Sequence, residues 1–573
     1  MEVSGLLRTL LTKRGIESDD HIAAFLNPDY EAHMHDPMLL SDMGKAIKRL
    51  FAAFDAGERI ALYTDYDCDG IASAVVLSDF LRKINYKNFE VYLPHRDTEG
   101  YGFHVSAVRE LAARDVRLII TADVGISGVE ATRVAREIGI DTIITDHHEV
   151  MGALPEAVAI VNPKLAGYPF AHLCGAAVAF KFVQAALREG KRRTLPPFLA
   201  VPDGWEKWLL DVVAIATIAD MVSMTGENRV LVHWGLQVLR KSPRRGIAAL
   251  CSGARISQRS ITEDDIGFSI APRLNAASRM DHPDLAFRLL TTGSRTEAAS
   301  LARQLEQLNN ARKGVVAGIV KQAKKRARER FGTDSSVTVL GDTAWKPALL
   351  GLAAHSVMGE RGGVVCLWGR DASGALKGSC RSDGSISLVD LFANATDVFE
   401  QYGGHARAGG FTVSHERVHT LHEDLVIAAS ASNAVSLKGD EFVQPAGFDA
   451  ALLLSGISQA LMADVSRLSP FGIANPKPVF RVSAARVVQV KRFGKEKNHV
   501  ELMLECTTSG RSIRAFEFFK GPEHFTSTPA VGTLANVLCT LERDMFSARG
   551  GSASGGKGIP GLALRIVDVV PLC

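Results

Sequence analysis

The chain has 573 residues, with 66 Lys and Arg against 63 Asp and Glu and a formal charge of only +3. That balance excludes a generally basic nucleic-acid coat and leaves any basic surface local. Hydrophobic residues at 46% supply ordinary cores, the length implies several domains, and no apolar run is long enough to span a membrane.

The start, MEVSGLLRTLLTKRGIESDDH, lacks the apolar stretch of a signal peptide, so a cytoplasmic protein is expected. The eight cysteines contain no C-x-x-C pair, which disfavours structural zinc and a disulfide framework and suits a reducing compartment. ERIALYTDYDCDGIASAVVLSDFLRKI reads as a strand, a turn at Gly70 and an apolar helix. NFEVYLPHR, VRLIITADVGIS, IDTIITDHHEV and AVAIVNPK read as further strands, with GVEATRVAREIG as a helix between two of them. Strands alternating with helices predict a parallel sheet covered by helices. WLLDVVAIATIADMVSM is apolar throughout but carries Asp220 near its end. Arg273 and Asn275 fall in a stretch read as a glycine- and proline-containing loop. A long polar-faced helix, 294–331, then connects to a second α/β region: SVTVLGD, ALLGLAAHSVMGERG, GVVCLWGR and the glycine-rich QYGGHARAGGFTV. After about Gly447, short alternating strands suggest a small β-barrel, with 549–558 as a hairpin loop. The fold class expected is therefore α/β with a C-terminal barrel. Its domains are 1–48 (helical), 49–292 (parallel sheet), 293–332 (connecting helix), 333–446 (second α/β) and 447–573 (barrel).

TDYDCDG places Asp65, Asp67 and Asp69 on alternate residues. Two such charges about 4 Å apart repel by roughly 4 kcal/mol at an effective dielectric near 20, so solvent, an arginine or a metal must offset them. Asp123, Asp146, His147 and His148 end two further strands, at the edge where open α/β sheets bind ligands. Carboxylate with imidazole and no thiolate suits a divalent ion such as Mn²⁺. Several acids on one edge can hold two cations, which lower the pKa of a water and clamp the oxygens of an in-line displacement at phosphorus. Blander readings exist for each part. D-x-D-x-D-G also occurs in calcium loops, although the flanking strand and helix oppose that here. Asp123 could cap a helix, Asp146 could support a histidine, and Asp220 could be a cap or half of a buried ion pair.

DYDCDG, ADVGIS, TDHHE and TIADMV resemble the successive motifs of the DHH phosphoesterase superfamily. LLTKRGI…AAFLNPDY, PHRDTEGYGF, IGFSIAPRLNAASRM, GSCRS, GGHARAGGF and FGIANPKPVF extend the likeness nearly end to end to its RecJ family. That resemblance implies a DHH domain, a DHH-associated domain and an OB-fold. It also implies a 5′→3′ exonuclease on single-stranded DNA in repair and recombination, using two Mn²⁺ or Mg²⁺ ions and releasing mononucleotides. By motif, Asp67, Asp69, Asp123, His147 and Asp220 would be metal ligands and Asp65 would support or join them. His148 would contact phosphate, with Asp146 behind it. Arg96, Tyr101, Arg273, Asn275, Arg279, Ser379, Arg381, His405 and Arg407 would meet the nucleic acid. Lys346 and Ser278 depart from the family pattern. A monomer meeting single-strand-binding protein and a helicase, with no membrane partner, completes the expectation. Shorter phosphodiesterases of the superfamily and non-catalytic DNA-binding scaffolds are the alternatives. KKRARER (324–330) reads either as a DNA channel or as a solvated helix face. Lys491, Arg492, Lys495 and Lys497, with Phe516, Phe518 and Phe519, read either as a stacking surface for single strands or as barrel packing.

Overall fold

A computed structural model describes residues 3–150, 152–165, 167–331, 335–432, 447–494, 497–544, 559 and 561–572. Lys495 and the stretch 549–558 lie outside the described residues. The chain forms two compact units. The larger is His35–Val222 with Leu231–Gly439, and the smaller is Met1–Met34 with Ser223–Val230 and Asp440–Cys573.

In the larger unit, β1 (Arg59–Thr64), β2 (Phe89–Tyr92), β3 (Val116–Ala122), β4 (Asp141–Thr145) and β5 (Ala159–Val161) form one sheet in the order β2-β1-β3-β4-β5. Every pairing in it is parallel. β1, β3 and β4 are buried along nearly their whole length, as strands covered on both faces must be, which explains their near-continuous Ile, Leu, Ala and Thr. The register aligns the last residues: Thr64 lies opposite Ala122, Ala122 opposite Thr145, and Thr145 opposite Val161. The next residues in sequence, Asp65, Asp123, Asp146 and Asn162, therefore leave the sheet side by side on one edge.

The expected connector is one helix, Arg295–Phe331, about 55 Å long at 1.5 Å per residue. It leads into a mixed sheet of β6 (Val337–Gly341), β7 (Val364–Arg370), β8 (Leu376–Ser382), β9 (Gln401–His405) and β10 (Ala408–Val413), ordered β6-β7-β8-β10-β9. One face packs Val365 and Leu367 against Leu349, Leu350 and Val357 of the helix Pro347–Arg361. The other packs Val337, Val339 and Val364 against Leu388, Leu421 and Leu425. The glycine-rich motif is the β9–β10 hairpin, in which His405 pairs with Ala408 across Ala406 and Arg407.

One expectation about this unit is corrected, and one covalent bond is added to it. The segment around Arg273 and Asn275 is not a loop: a π-helical turn, Ile266–Ile270, runs into the helix Ala271–Met280. Pro272 sits in the first turn of that helix, where its fixed φ suits the helical backbone. A disulfide is also present, joining Cys366 and Cys380. The β7–β8 register sets these residues opposite one another, a juxtaposition that sequence spacing does not carry.

The smaller unit is a barrel of β12 (Phe480–Phe493), β13 (His499–Glu505), β14 (Ser512–Glu517), β15 (Leu534–Arg543) and β16 (Leu562–Val570), preceded by β11 (Ala450–Leu452). β12 pairs with both β13 and β15, which closes the sheet. Alternate residues such as Val500, Leu502 and Leu504 point inward. Two N-terminal helices, Gly5–Thr12 and Asp19–Leu26, contribute Leu7, Leu10, Leu11, Ile22 and Leu26 to the same core.

Candidate metal centre

The acids converge at the carboxyl edge of the parallel sheet. Asp67 caps the helix Cys68–Lys83: its Oδ1 accepts from Asp69 N at 2.9 Å and Gly70 N at 3.2 Å. Gly70 lies inside that helix rather than in a turn. A Cβ there would fall 2.3 Å from the backbone oxygen of Asp65, so glycine permits close approach, not tight curvature. Asp69 reaches across to the N-terminus of a second helix, Gly175–Arg192. Gly175 N and Ala176 N donate to its two oxygens at 2.7 and 2.8 Å, an arrangement the exposed amides and dipole of a helix start favour. Asp123 does not cap a helix. It adopts a left-handed backbone, φ +63°, and the next helix begins at Val129 with Gly128 at its cap. A Cβ on Gly175 would lie 2.5 Å from the Asp123 Cβ, so this glycine is what lets the second helix meet the sheet edge. Asp220 closes the helix Leu210–Ala219 at its C-terminal end.

His147 sits among three of these acids. Its Nε2 is 3.0 Å from Asp123 Oδ1, 3.7 Å from Asp69 Oδ2 and 3.8 Å from Asp220 Oδ2. Asp146 takes a different role. Ile126 N donates to its Oδ2 at 2.9 Å, while His147 N, His148 N and His148 Nδ1 converge on Oδ1 at 2.7, 3.1 and 2.7 Å. Its oxygens are consumed in holding the two histidines, which leaves it behind the cluster. Tyr101 Oη lies 3.2 Å from His148 Nδ1 and 3.4 Å from its Nε2.

Electrostatics separates the groups. Burial, then Asp67, pushes Asp69 up to about 6, against the pull of the Ala176 and Gly175 amides. Burial followed by the neighbouring carboxylates holds Asp65, Asp123 and Asp220 well above the usual range. Burial, then His148, drives His147 down to about 3, leaving it a neutral donor. For His148, burial works downward, but the bond to Asp146 overrides it and raises the imidazole. Burial likewise opposes Asp146, and the His148 bond and charge lower it nonetheless.

The donor set fits divalent cations. His147 Nε2 and Asp65 Oδ1 are buried without a hydrogen-bond partner, a costly condition unless something else binds them. Three overlapping groups place one donor atom from each residue within 4.8 Å: Asp65, Asp67 and Asp123; Asp69, His147 and Asp220; Asp123, His147 and His148. Ligands drawn from both ends of the cluster suit more than one ion.

Among the residues expected to meet nucleic acid, Asn275 and Arg273 have partners within the protein: Cys68 N donates to Asn275 Oδ1 at 2.8 Å, and Arg273 is bound to Glu306 at 2.5 Å and to Ser269 O. Arg96 lies over the Tyr66 ring at 4.6 Å, and Arg279 donates to Ala348 O at 2.6 Å. Burial, then Arg96, pulls Arg279 down to about 9. Ser379 and Arg381 lie on β8. Arg381 donates to Cys380 O, packs against Gly351, and burial lowers its pKa. His405, at the end of β9, is exposed, and partial burial, then Lys164 and His148, lowers its imidazole. Arg407 occupies the hairpin turn, its guanidinium against Gly384. Lys346, in place of the family's usual histidine, forms an ion pair with Asp97 at 2.8 Å, and Ser278 bonds to Asn275 O.

Sequence reasoning missed Gly175, Asn162, which holds His148 O at 3.0 Å, and Lys164, which pairs with Glu149 at 2.9 Å. The small residues opening an apolar helix in CGAAVAF signal an anion-accepting helix start. In the run 324–330, Lys324 and Arg328 bind Glu360, Arg326 binds Asp342 at 2.7 Å, and Lys325 lies 3.9 Å from Glu329. Those partners support the solvated-face reading over a channel. On the barrel, Phe493, His499 and Phe518 form a ring cluster beside an exposed Phe519. Phe516 stands on the outward face of β14, Lys491 and Lys497 are exposed, and Arg492 pairs with Glu523 at 2.5 Å.

Residues 59–217 match the DHH family N-terminal domain, and residues 448–550 match the RecJ OB domain. The chain is 34% identical over 514 residues to the single-stranded-DNA-specific exonuclease RecJ of Bacillus subtilis, covering 89% of this chain and 62% of that one. It thus spans less than two thirds of that relative's length. To the Escherichia coli exonuclease of the same name it is 30% identical, covering 90% of this chain and 89% of the relative. The crystal structure of RecJ from Thermus thermophilus in complex with Mn²⁺ superposes with a TM-score of 0.76 at 24% identity. The match covers 99% of this chain and 78% of that one, which shows a shared fold.

Proposed function

This chain belongs to the RecJ family, and from that premise we propose that it hydrolyses single-stranded DNA from the 5′ end, releasing mononucleotides. The observation that carries the reading is the packing of Asp65, Asp67, Asp69, Asp123, His147 and Asp220 around buried, unpartnered donor atoms at one sheet edge. Two divalent cations, Mn²⁺ or Mg²⁺, when bound there supply an activated water and neutralise charge at phosphorus.

The chain's own residues supply the rest. Asp67, Asp69, Asp123, His147 and Asp220 hold the cations, with Asp65 beside them. Neutral His147 offers Nε2 as a lone-pair donor, while Asp146 orients both histidines. His148, whose protonated form Asp146 favours, donates to a phosphoryl oxygen as charge builds there. Tyr101, beside His148, and the β8 residues Ser379 and Arg381 bind the strand's phosphates, with His405, Arg407, Arg96 and Arg279 around them. Arg273 and Asn275 complete that set, and Asn275 also holds Cys68 N at the start of the helix that carries Asp69. The outward aromatics and exposed lysines of the barrel add sequence-tolerant affinity for single strands. Within the same reading the enzyme is a cytoplasmic monomer acting in repair and recombination, where it meets single-strand-binding protein and a helicase.

The test uses purified protein, Mn²⁺ and single strands labelled at either end, beside duplex and RNA controls. Mononucleotide release from the 5′ end of the single strand, stopped by chelation, is expected. Degradation from the 3′ end, or cutting that survives EDTA, overturns the assignment.

A further inference from the structure

A cavity of about 620 Å³ lies at the β6 edge of the mixed sheet, and none of the metal-centre residues lines it. Its size is that of ordinary small-molecule sites. One wall is aromatic and aliphatic, made by Trp368, Val339 and Val418. The Trp368 indole is seated on Gly341 of the neighbouring strand: a Cβ there would fall 1.8 Å from the ring, so glycine alone lets it lie flat. Arg330, His419 and His422 bring basic groups to the rest of the lining, beside Arg326, Glu329 and Leu340.

Arg330 differs from the rest of its run. Lys324, Lys325, Arg326 and Arg328 each have a carboxylate neighbour. Arg330 has none among the described residues, and its guanidinium lies over the Phe331 ring at 5.1 Å. That ring lies against His422 in turn, 4.4 Å between centroids at a tilt of 41°, and His422 Nδ1 is buried without a hydrogen bond. Arg326 also lines the cavity, but it is committed to Asp342 and Gly341 O, and Glu329 is the one other acid there, beside Lys325.

A flat aromatic wall facing a guanidinium and two imidazoles matches a planar ring that carries an anion. We propose that this cavity binds a phosphorylated nucleoside, its base on Trp368 and its phosphate on Arg330, His419 and His422. The ligand is a free nucleoside 5′-monophosphate or one nucleotide of a strand. The proposal does not depend on the exonuclease reading.

The test titrates the full chain calorimetrically in EDTA, which keeps the metal centre from contributing. The probes are dAMP, inorganic phosphate and a 5′-phosphorylated hexamer of deoxyadenylate. One dAMP per chain is expected, with phosphate at least about tenfold weaker for want of the stacking wall. Arg330→Glu, at an exposed position, should weaken dAMP at least about tenfold while melting stays wild-type. Trp368→Leu should weaken dAMP but leave phosphate unchanged. A hexamer that binds more tightly than dAMP, in an Arg330-dependent way, identifies a strand as the source; equal or weaker binding identifies the free nucleotide. The proposal fails if dAMP binds no better than phosphate, or if both variants, folded as wild type, bind dAMP as the wild type does.

Discussion

Two clusters of like charge lie in the larger unit, and they have been solved in opposite ways. The basic run 324–330 is answered locally, because four of its five cations have a carboxylate close by. The acidic cluster has no such answer. Asp65, Asp69, Asp123 and Asp220 crowd one another in a buried edge, and burial first, then their mutual repulsion, raises their affinities for protons. The sequence shows a similar density of charge in both places. What separates them is residual imbalance: a charge run that is neutralised tells about solubility, and one that is left uncompensated in a buried place tells about a missing counter-ion.

The sharpest way to break this contrast is to remove an acid. Asp69→Ala should reduce Mn²⁺-dependent hydrolysis by at least about a thousandfold in single-turnover assays, while binding of a single strand changes no more than about threefold, since the contacts proposed for the strand lie elsewhere. Wild-type turnover by the purified variant would show the acids to be bystanders. His148→Ala should cost less, about a hundredfold in kcat, consistent with the loss of one donor to a developing charge. Metal affinity should be nearly unchanged, measured by calorimetry with Mn²⁺.

Stability provides a finer test. In metal-free protein the folded-state pKa of Asp69, about 6, lies above its ordinary value of 3.8. Between those values the folded chain holds the proton and the unfolded chain does not, so stability falls as pH rises from about 4 to 6 and stays low above. The loss from this one group is about 3 kcal/mol. Mn²⁺ should therefore raise Tm more at pH 7.5 than at pH 5, by calorimetry or thermal fluorescence. An equal rise at both would mean the acids are not coupled to metal. In the same metal-free state, Asp123→Asn should raise stability by about 1–2 kcal/mol, because it removes one repelling charge at a backbone that asparagine tolerates. The smallest effect is expected in the compensated run. Arg328→Ala should change denaturant-derived stability by less than about 0.5 kcal/mol and single-strand affinity by less than about twofold, and a larger drop in affinity would restore the channel reading.

Much of the centre was legible because parallel strands converted a linear pattern into a spatial one. Once ERIALYT, VRLIITA and DTIIT are read as neighbouring strands, their following acids must share an edge. The long connector was equally plain, since 37 residues without a proline, and with glycine only at 314 and 318, leave few alternatives. The illegible parts are contacts between distant segments. Nothing near Asp69 announces that Gly175, 106 residues on, will donate to it, nor does anything near Asn275 announce Cys68. The helix through Pro272 was hidden because proline reads as a breaker unless its position in the first turn is known. The Cys366–Cys380 bond depends on a strand register that spacing does not encode.

The backbone at Asp123 also narrows which amino acids evolution or an engineer can place there. A φ of +63° is comfortable for glycine and tolerable for asparagine and aspartate, while most other side chains clash with the main chain. Of those three, only aspartate brings an anion. The path of the polypeptide thus acts as a filter on the alphabet, and within that short alphabet it is the chemistry of the site, not the backbone, that selects aspartate.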